Sequence, residues 1–165
     1  MKPNTVGRAM TGPNPIARIS HRHAGLIAGT IVLTSDGEIP VQYLSEGDRV
    51  ITRNAGMVPL RAMRVTRQKL HAVAIQAGAL GQQRPGTNVI LPASQQVLVR
   101  DWRAKAFAGQ AQAVLLAGCL VDDEFITDLG ERPMTLVQLA FDAPHVIYAD
   151  GMEISIPAQA LSKAA

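Results

Sequence analysis

Gly29-Thr30-Ile31-Val32-Leu33-Thr34-Ser35-Asp36-Gly37-Glu38-Ile39-Pro40-Val41, with Leu44-Ser45-Glu46-Gly47-Asp48-Arg49-Val50 close behind it, reads as a strand, a tight turn, a second strand and a further turn that feeds a third. Ile, Val and Thr are stiff, branched side chains that suit a pleated surface. Asp-Gly and Glu-Gly-Asp supply the polar and positive-φ residues that reverse the chain.

The same alternation of short apolar runs and turn signals continues to the end of the body. It predicts strands near 30–34, 39–43, 48–53, 58–67, 70–77, 87–91, 96–101, 113–117, 135–140, 145–149 and 152–156. His71-Ala72-Val73-Ala74-Ile75 and Gln96-Val97-Leu98-Val99-Arg100 alternate as half-buried strands do. Turns fall at Asp36-Gly37, Glu46-Gly47-Asp48, Asn54-Ala55-Gly56, Arg84-Pro85-Gly86, Leu129-Gly130 and Asp150-Gly151. Gln42-Tyr43-Leu44 suits one helical turn, and Met134 to Leu139 is compatible with either helix or strand. Many short strands at this spacing imply an all-β domain of sandwich or barrel type.

At 165 residues the chain is one domain, and 47% hydrophobic residues are enough to bury a core. Aromatics make up only 4%, so the core is built from Val, Ile, Leu and Ala. That argues against a surface that stacks nucleobases. The formal charge of +3 is uneven: residues 1–24 carry Lys2, Arg8, Arg18 and Arg22 and no acid, which leaves 12 basic against 13 acidic residues in the remainder. Within the body, Arg53, Arg61, Arg64, Arg67, Lys69 and Arg84 precede a later group of Asp122, Asp123, Glu124, Asp128 and Glu131. The expected arrangement is two solvated loops of opposite sign, not a specific nucleic-acid groove.

Residues 1–24 hold Pro3, Pro13, Pro15, Gly7 and Gly12 without hydrophobic period, and read as a flexible basic arm. They lack the form of a secretory signal, and no stretch approaches bilayer-spanning length. The default expectation is a cytoplasmic protein with no membrane association, leaving export by an unread signal open. The sequence names no oligomeric state.

Chemistry-bearing residues are few. Cys119, the one cysteine, lies in an apolar run and reads as a small buried residue, with a displaced nucleophile as the functional alternative. His21 and His23 have no acid or Cys nearby and read as solvated, so no metal site is expected. His71 reads as an edge or capping residue, and Thr30 and Ser45 as hydroxyls satisfying local backbone groups. Gly78-Ala79-Leu80-Gly81 lacks the Lys of a phosphate loop, and no cofactor is expected.

The opening pattern of a small residue, Gly-Thr, an apolar strand, DG-E-x-P-V and L-x-x-GD-x-V resembles the start of the Hint module shared by hedgehog C-terminal domains and inteins. Val89 to Ala104 is similar to the second block of its bacterial Hint-2 branch, where a Ser-Pro-x-His-Arg-type segment precedes a Val-Leu-Val-Arg strand. Leu115 to Val121 resembles a Leu-Val-Pro-Ala-x-x-Leu-Val segment, and Phe141 to Met152 resembles the closing Phe-Asp-x-His-x-x-Ile-x-Ala-x-Gly segment. The four blocks run in order and imply three parts: an arm at 1–24, a compact Hint-like β domain at 25–156 and a tail at 157–165.

In that family a Cys or Ser at the first position attacks the carbonyl before it, converting an amide into a thioester or ester. A second-block His protonates the leaving nitrogen while backbone donors hold the oxyanion. Carried over position by position, the nucleophile falls on Gly25, the second-block His on Gln95 and the closing His on Pro144, with His145 one step on. A one-residue offset reverses a side chain's face in a regular strand. The resemblance, with these replacements, implies a catalytically degenerate module acting as a scaffold or reaching a protein partner through its tail or a sheet edge. The alternative is autoprocessing by a non-standard nucleophile, Ser20 or Cys119, with His145 as a substitute imidazole.

Overall fold

The computed structural model describes residues 25–158. Twelve strands run through them: β1 (Leu26–Ile27), β2 (Ile31–Thr34), β3 (Gly37–Pro40), β4 (Arg49–Thr52), β5 (Gly56–Pro59), β6 (Ala62–Ile75), β7 (Val89–Pro92), β8 (Gln96–Val99), β9 (Ala113–Leu116), β10 (Ile126–Ala140), β11 (His145–Ala149) and β12 (Met152–Ile156). A short helix, α1 (Trp102–Ala108), lies between β8 and β9. Single 3-10 turns occupy Val41–Tyr43 and Ala117–Leu120.

One sheet has the order β1-β10-β6-β7, the other β3-β2-β4-β11-β12-β8-β9 with β5 added on β4. All the strand pairs are antiparallel. The first reversal follows the sequence signal closely. Thr34 pairs with Gly37, the Thr34 hydroxyl donates to Gly37 O at 2.8 Å, and Gly37 takes φ +105°, which L side chains avoid. The two sheets share one aliphatic core, in which Leu26, Val73, Leu91 and Val137 meet Val32, Val97, Ile147 and Ile154. Phe141 is the one aromatic residue in it among the described residues.

Several expectations are corrected. The fold is mainly β and includes a helix, so it is not all-β. Helix α1 is a seven-residue element capped by Asp101, whose carboxylate accepts from Arg103 N, and closed by Gly109 at φ +69°. Residues 58–67 and 70–77 do not form two strands. Ala62 to Ile75 is one long strand paired with nearly all of β10, with a bulge between Asp128 and Gly130.

Met134 to Leu139 is strand, not helix, because it lies inside that pairing. Pro133 is tolerated in β10 because β1 pairs only at Leu136 and Val137, so the other edge at Pro133 has no strand to bond. The basic residues do not make one solvated loop. Arg64, Arg67 and Lys69 belong to β6, Arg61 pairs with Asp142 at 2.8 Å, and Arg53 and Arg84 converge on Glu153.

Candidate functional site

Gly25 is buried directly ahead of β1. The ladder Leu26↔Val137 and Ile27↔Leu136 holds it against β10. A Cβ built there would lie 3.2 Å from both Val137 O and Gln138 Cγ, and 3.6 Å from Leu136 Cδ2. The backbone oxygen cannot swing aside as a side chain does, so a side chain at residue 25 would be tight and would need a shift of the strand. β1 also lies against β7, the strand that runs into the turn carrying Gln95.

Gln95 is fully buried. Its Nε2 donates to Gln96 O at 3.1 Å and to Ser155 O at 3.2 Å. Both partners are carbonyls, so the orientation of the amide is decided: flipping it would set oxygen against oxygen. Oε1 is buried and has no hydrogen-bond partner. The backbone of the same turn is tied to the 3-10 turn of Cys119, through Ala117 N to Gln95 O at 2.8 Å and Gly118 N to Ala93 O at 2.9 Å.

His145 opens β11 on its buried face, shared with Ile147 and Ala149, while Pro144 is exposed in the preceding loop. The offset of one residue therefore exchanges an exposed position for an inward one. Asn54 Oδ1 accepts from Val146 N at 3.2 Å, so its Nδ2 is the donor facing His145 Nδ1 at 3.1 Å. Asn54 Oδ1 lies farther from the same ring nitrogen, at 3.4 Å. Phe141 meets the imidazole edge-to-face at 5.6 Å. Val146, Ser155 and Gln96 lie in one row across β11, β12 and β8. Gln95 and His145 each precede a member of that row, on the two neighbours of β12.

The remaining candidates are dispersed. Cys119 is half-buried and unpaired by any disulfide. Burial pushes its thiol up, only partly opposed by a hydrogen bond to the Leu116 backbone, which favours the unreactive protonated form. His71 bonds Asp128 at 2.6 Å across the long β6–β10 pair. Ser20, His21 and His23 lie outside the described residues. No group of three His, Cys, Asp or Glu among the described residues is placed to hold a metal ion, and no helix there is long and apolar enough to cross a membrane. Asn54, which orients His145, was not anticipated; its only sequence signal was its place in the Asn54-Ala55-Gly56 turn.

This two-sheet β fold has its counterpart in known proteins. The family model described as Hint domain matches residues 24–155. The chain belongs to the Hint domain family.

The Hint fold here is similar to that of a DnaB intein from Synechocystis sp. PCC 6803, with a TM-score of 0.56 at 12% identity over 81% of this chain and 99% of that one. A bacterial intein-like domain from Clostridium thermocellum aligns with a TM-score of 0.54 at 14% identity, covering 81% and 98% of the two chains. At such identities the likeness carries the fold and not the chemistry. No curated protein sequence is matched.

Proposed function

We propose that this Hint-family protein has lost self-cleavage and serves as a scaffold or protein-interaction module, with residues 25–156 as the folded body between two appended segments. The observation that carries this reading is Gly25. The position that corresponds to the family's nucleophile has no side chain, and Val137 O and Gln138 Cγ leave its Cβ space tight. Without an attacking sulfur or oxygen the amide-to-ester shift has no first step.

Gln95 adds a second, independent defect. A carboxamide forms hydrogen bonds but does not exchange a proton near neutral pH, and general acid catalysis typically supplies about 10²–10⁴-fold. Its two N–H groups are moreover directed at Ser155 O and Gln96 O. Cys119 is a poor substitute nucleophile for the reason its burial gives. The module that remains presents strand edges and a basic N-terminal segment as the surfaces for a protein partner, in a cytoplasmic setting.

Intact-mass measurement of the purified full chain tests the reading. Incubation with dithiothreitol or hydroxylamine should leave the mass unchanged. Thiol- or hydroxylamine-dependent release of a fragment ending near residues 20–25 would overturn it.

A further inference from the structure

We infer that the cleft between the Leu80–Arg84 loop and the β8–β12 pair is a binding site for a phosphate-class oxyanion, free or as the terminal group of a phosphomonoester. The inference is independent of the state of the Hint chemistry. Glu153 is the centre of the arrangement: its side chain is 3% exposed and three guanidinium groups converge on its Oε1. Arg53 Nη1 lies at 2.9 Å, Arg84 Nη1 at 3.4 Å, and Arg100 Nη2 makes the third contact. The three arginines come from separate parts of the chain, so the cluster is a product of folding.

One carboxylate neutralises one of three guanidinium groups, and two positive charges remain. They are not hidden, since the arginine side chains are 33%, 40% and 33% exposed. Each guanidinium has five N–H donors. Among the described residues, Glu153 is the acceptor that the guanidinium groups of Arg84 and Arg100 reach. Arg53 adds a long contact to Gln112 at 3.5 Å.

The cleft is lined by Leu80, Gln82, Arg84, Leu98, Arg100 and Glu153 and has a volume of about 80 Å³, room for a compact ion. Asp101, also in its wall, shares the buried Arg103 with Asp122, so across the wider network four guanidinium groups face three carboxylates and one net positive charge remains. A compact oxyanion matches the net positive charge and the planar donor forks of Arg84 and Arg100, which bind phosphate oxygens in pairs.

The test uses the full chain at constant ionic strength, titrated with inorganic phosphate, with glycerol 3-phosphate and with chloride. Thermal unfolding and amide chemical shifts are followed together. Saturable stabilisation by phosphate, at least tenfold tighter than by chloride, is expected, with the largest shifts at Leu80–Arg84 and Arg100. Response to both phosphates assigns the site to a phosphoryl group; response to inorganic phosphate alone assigns it to the free ion. The Arg84→Gln, Arg100→Gln double variant should lose at least tenfold in affinity. A phosphate response no stronger than chloride's, shifts centred away from this cleft, or unchanged affinity in a folded double variant would overturn the inference.

Discussion

The Gln95 side-chain amide donates to the Ser155 carbonyl at 3.2 Å, tying the turn after β7 to strand β12 across 60 residues of sequence. The same nitrogen holds Gln96 O, so Gln95 works as an internal clamp. Its unpartnered Oε1 sets against that gain a desolvation cost of about 1–3 kcal/mol.

Truncating Gln95 removes both donated bonds and opens a small cavity. Gln95→Ala should destabilise by about 2 kcal/mol, read from urea unfolding midpoints. Gln95→Glu should behave differently with pH. An ionised carboxylate would face two carbonyl oxygens, so its folded pKa is raised, and its penalty grows as pH rises above the unfolded value of about 4.3. A Gln95→Glu variant as stable at pH 7 as at pH 4 would refute the clamp.

Gly25 makes the complementary case, in which adding atoms costs stability. Gly25→Ala places Cβ at 3.2 Å from Val137 O, and overpacking of this kind should cost about 1–3 kcal/mol. Gly86 has open space around its Cβ position, so Gly86→Ala should change stability by no more than about 0.5 kcal/mol. Equal effects of the two substitutions in denaturant would show that residue 25 is not crowded.

Asp122 governs the acid side. Burial alone would push its carboxyl up, but N–H donors from Ile126, Glu124 and Phe125 and the charge of Arg103 outweigh it and hold the group below the usual carboxylate range. Oδ1 accepts those three N–H groups at 2.9 Å each. A depressed folded pKa means the stabilisation is present above the unfolded value of about 3.9 and is lost as pH falls through the folded one. Asp122→Asn should therefore flatten the loss of stability below that pH in a urea series. An unchanged acid slope would contradict this role.

Turns and strand chemistry were readable because they are local: Asp36-Gly37 and Asp150-Gly151 name their own geometry. The length of β6 was not readable, because Gln68 and Lys69 look like a break, and only pairing with β10 makes them strand. Helix α1 carried its cap signals, Asp101 and Gly109, yet seven residues are too few to show a helical period. The family was legible through its ordered blocks. The physical state of Gly25 was not, since the crowding there comes from residues over a hundred positions away. The convergence of Arg53, Arg84 and Arg100 on Glu153 likewise depends on tertiary contacts that no local pattern encodes.

Asp150 and Gly151 form the two-residue turn between β11 and β12, closed by Ala149↔Met152. Both take positive φ, +50° and +76°, a combination that Asn-Gly serves better than most pairs. Asp150 Oδ1 also accepts from Ile31 N at 3.0 Å, docking the turn on β2. Burial pushes this carboxyl up; the Ile31 N–H opposes that, and Glu38 adds to it. The folded state therefore holds the proton more tightly than the unfolded state. Its contribution is greatest below the unfolded pKa and is lost as pH rises through the folded one, the reverse of Asp122. Asp150→Asn keeps an oxygen for Ile31 N, suits the left-handed backbone and removes the desolvated charge. It should raise stability at pH 7 by about 0.5–1 kcal/mol and leave less pH dependence above about pH 4. A variant less stable than the parent at pH 7 would mean that the ionised carboxylate, and not the turn geometry, secures this hairpin.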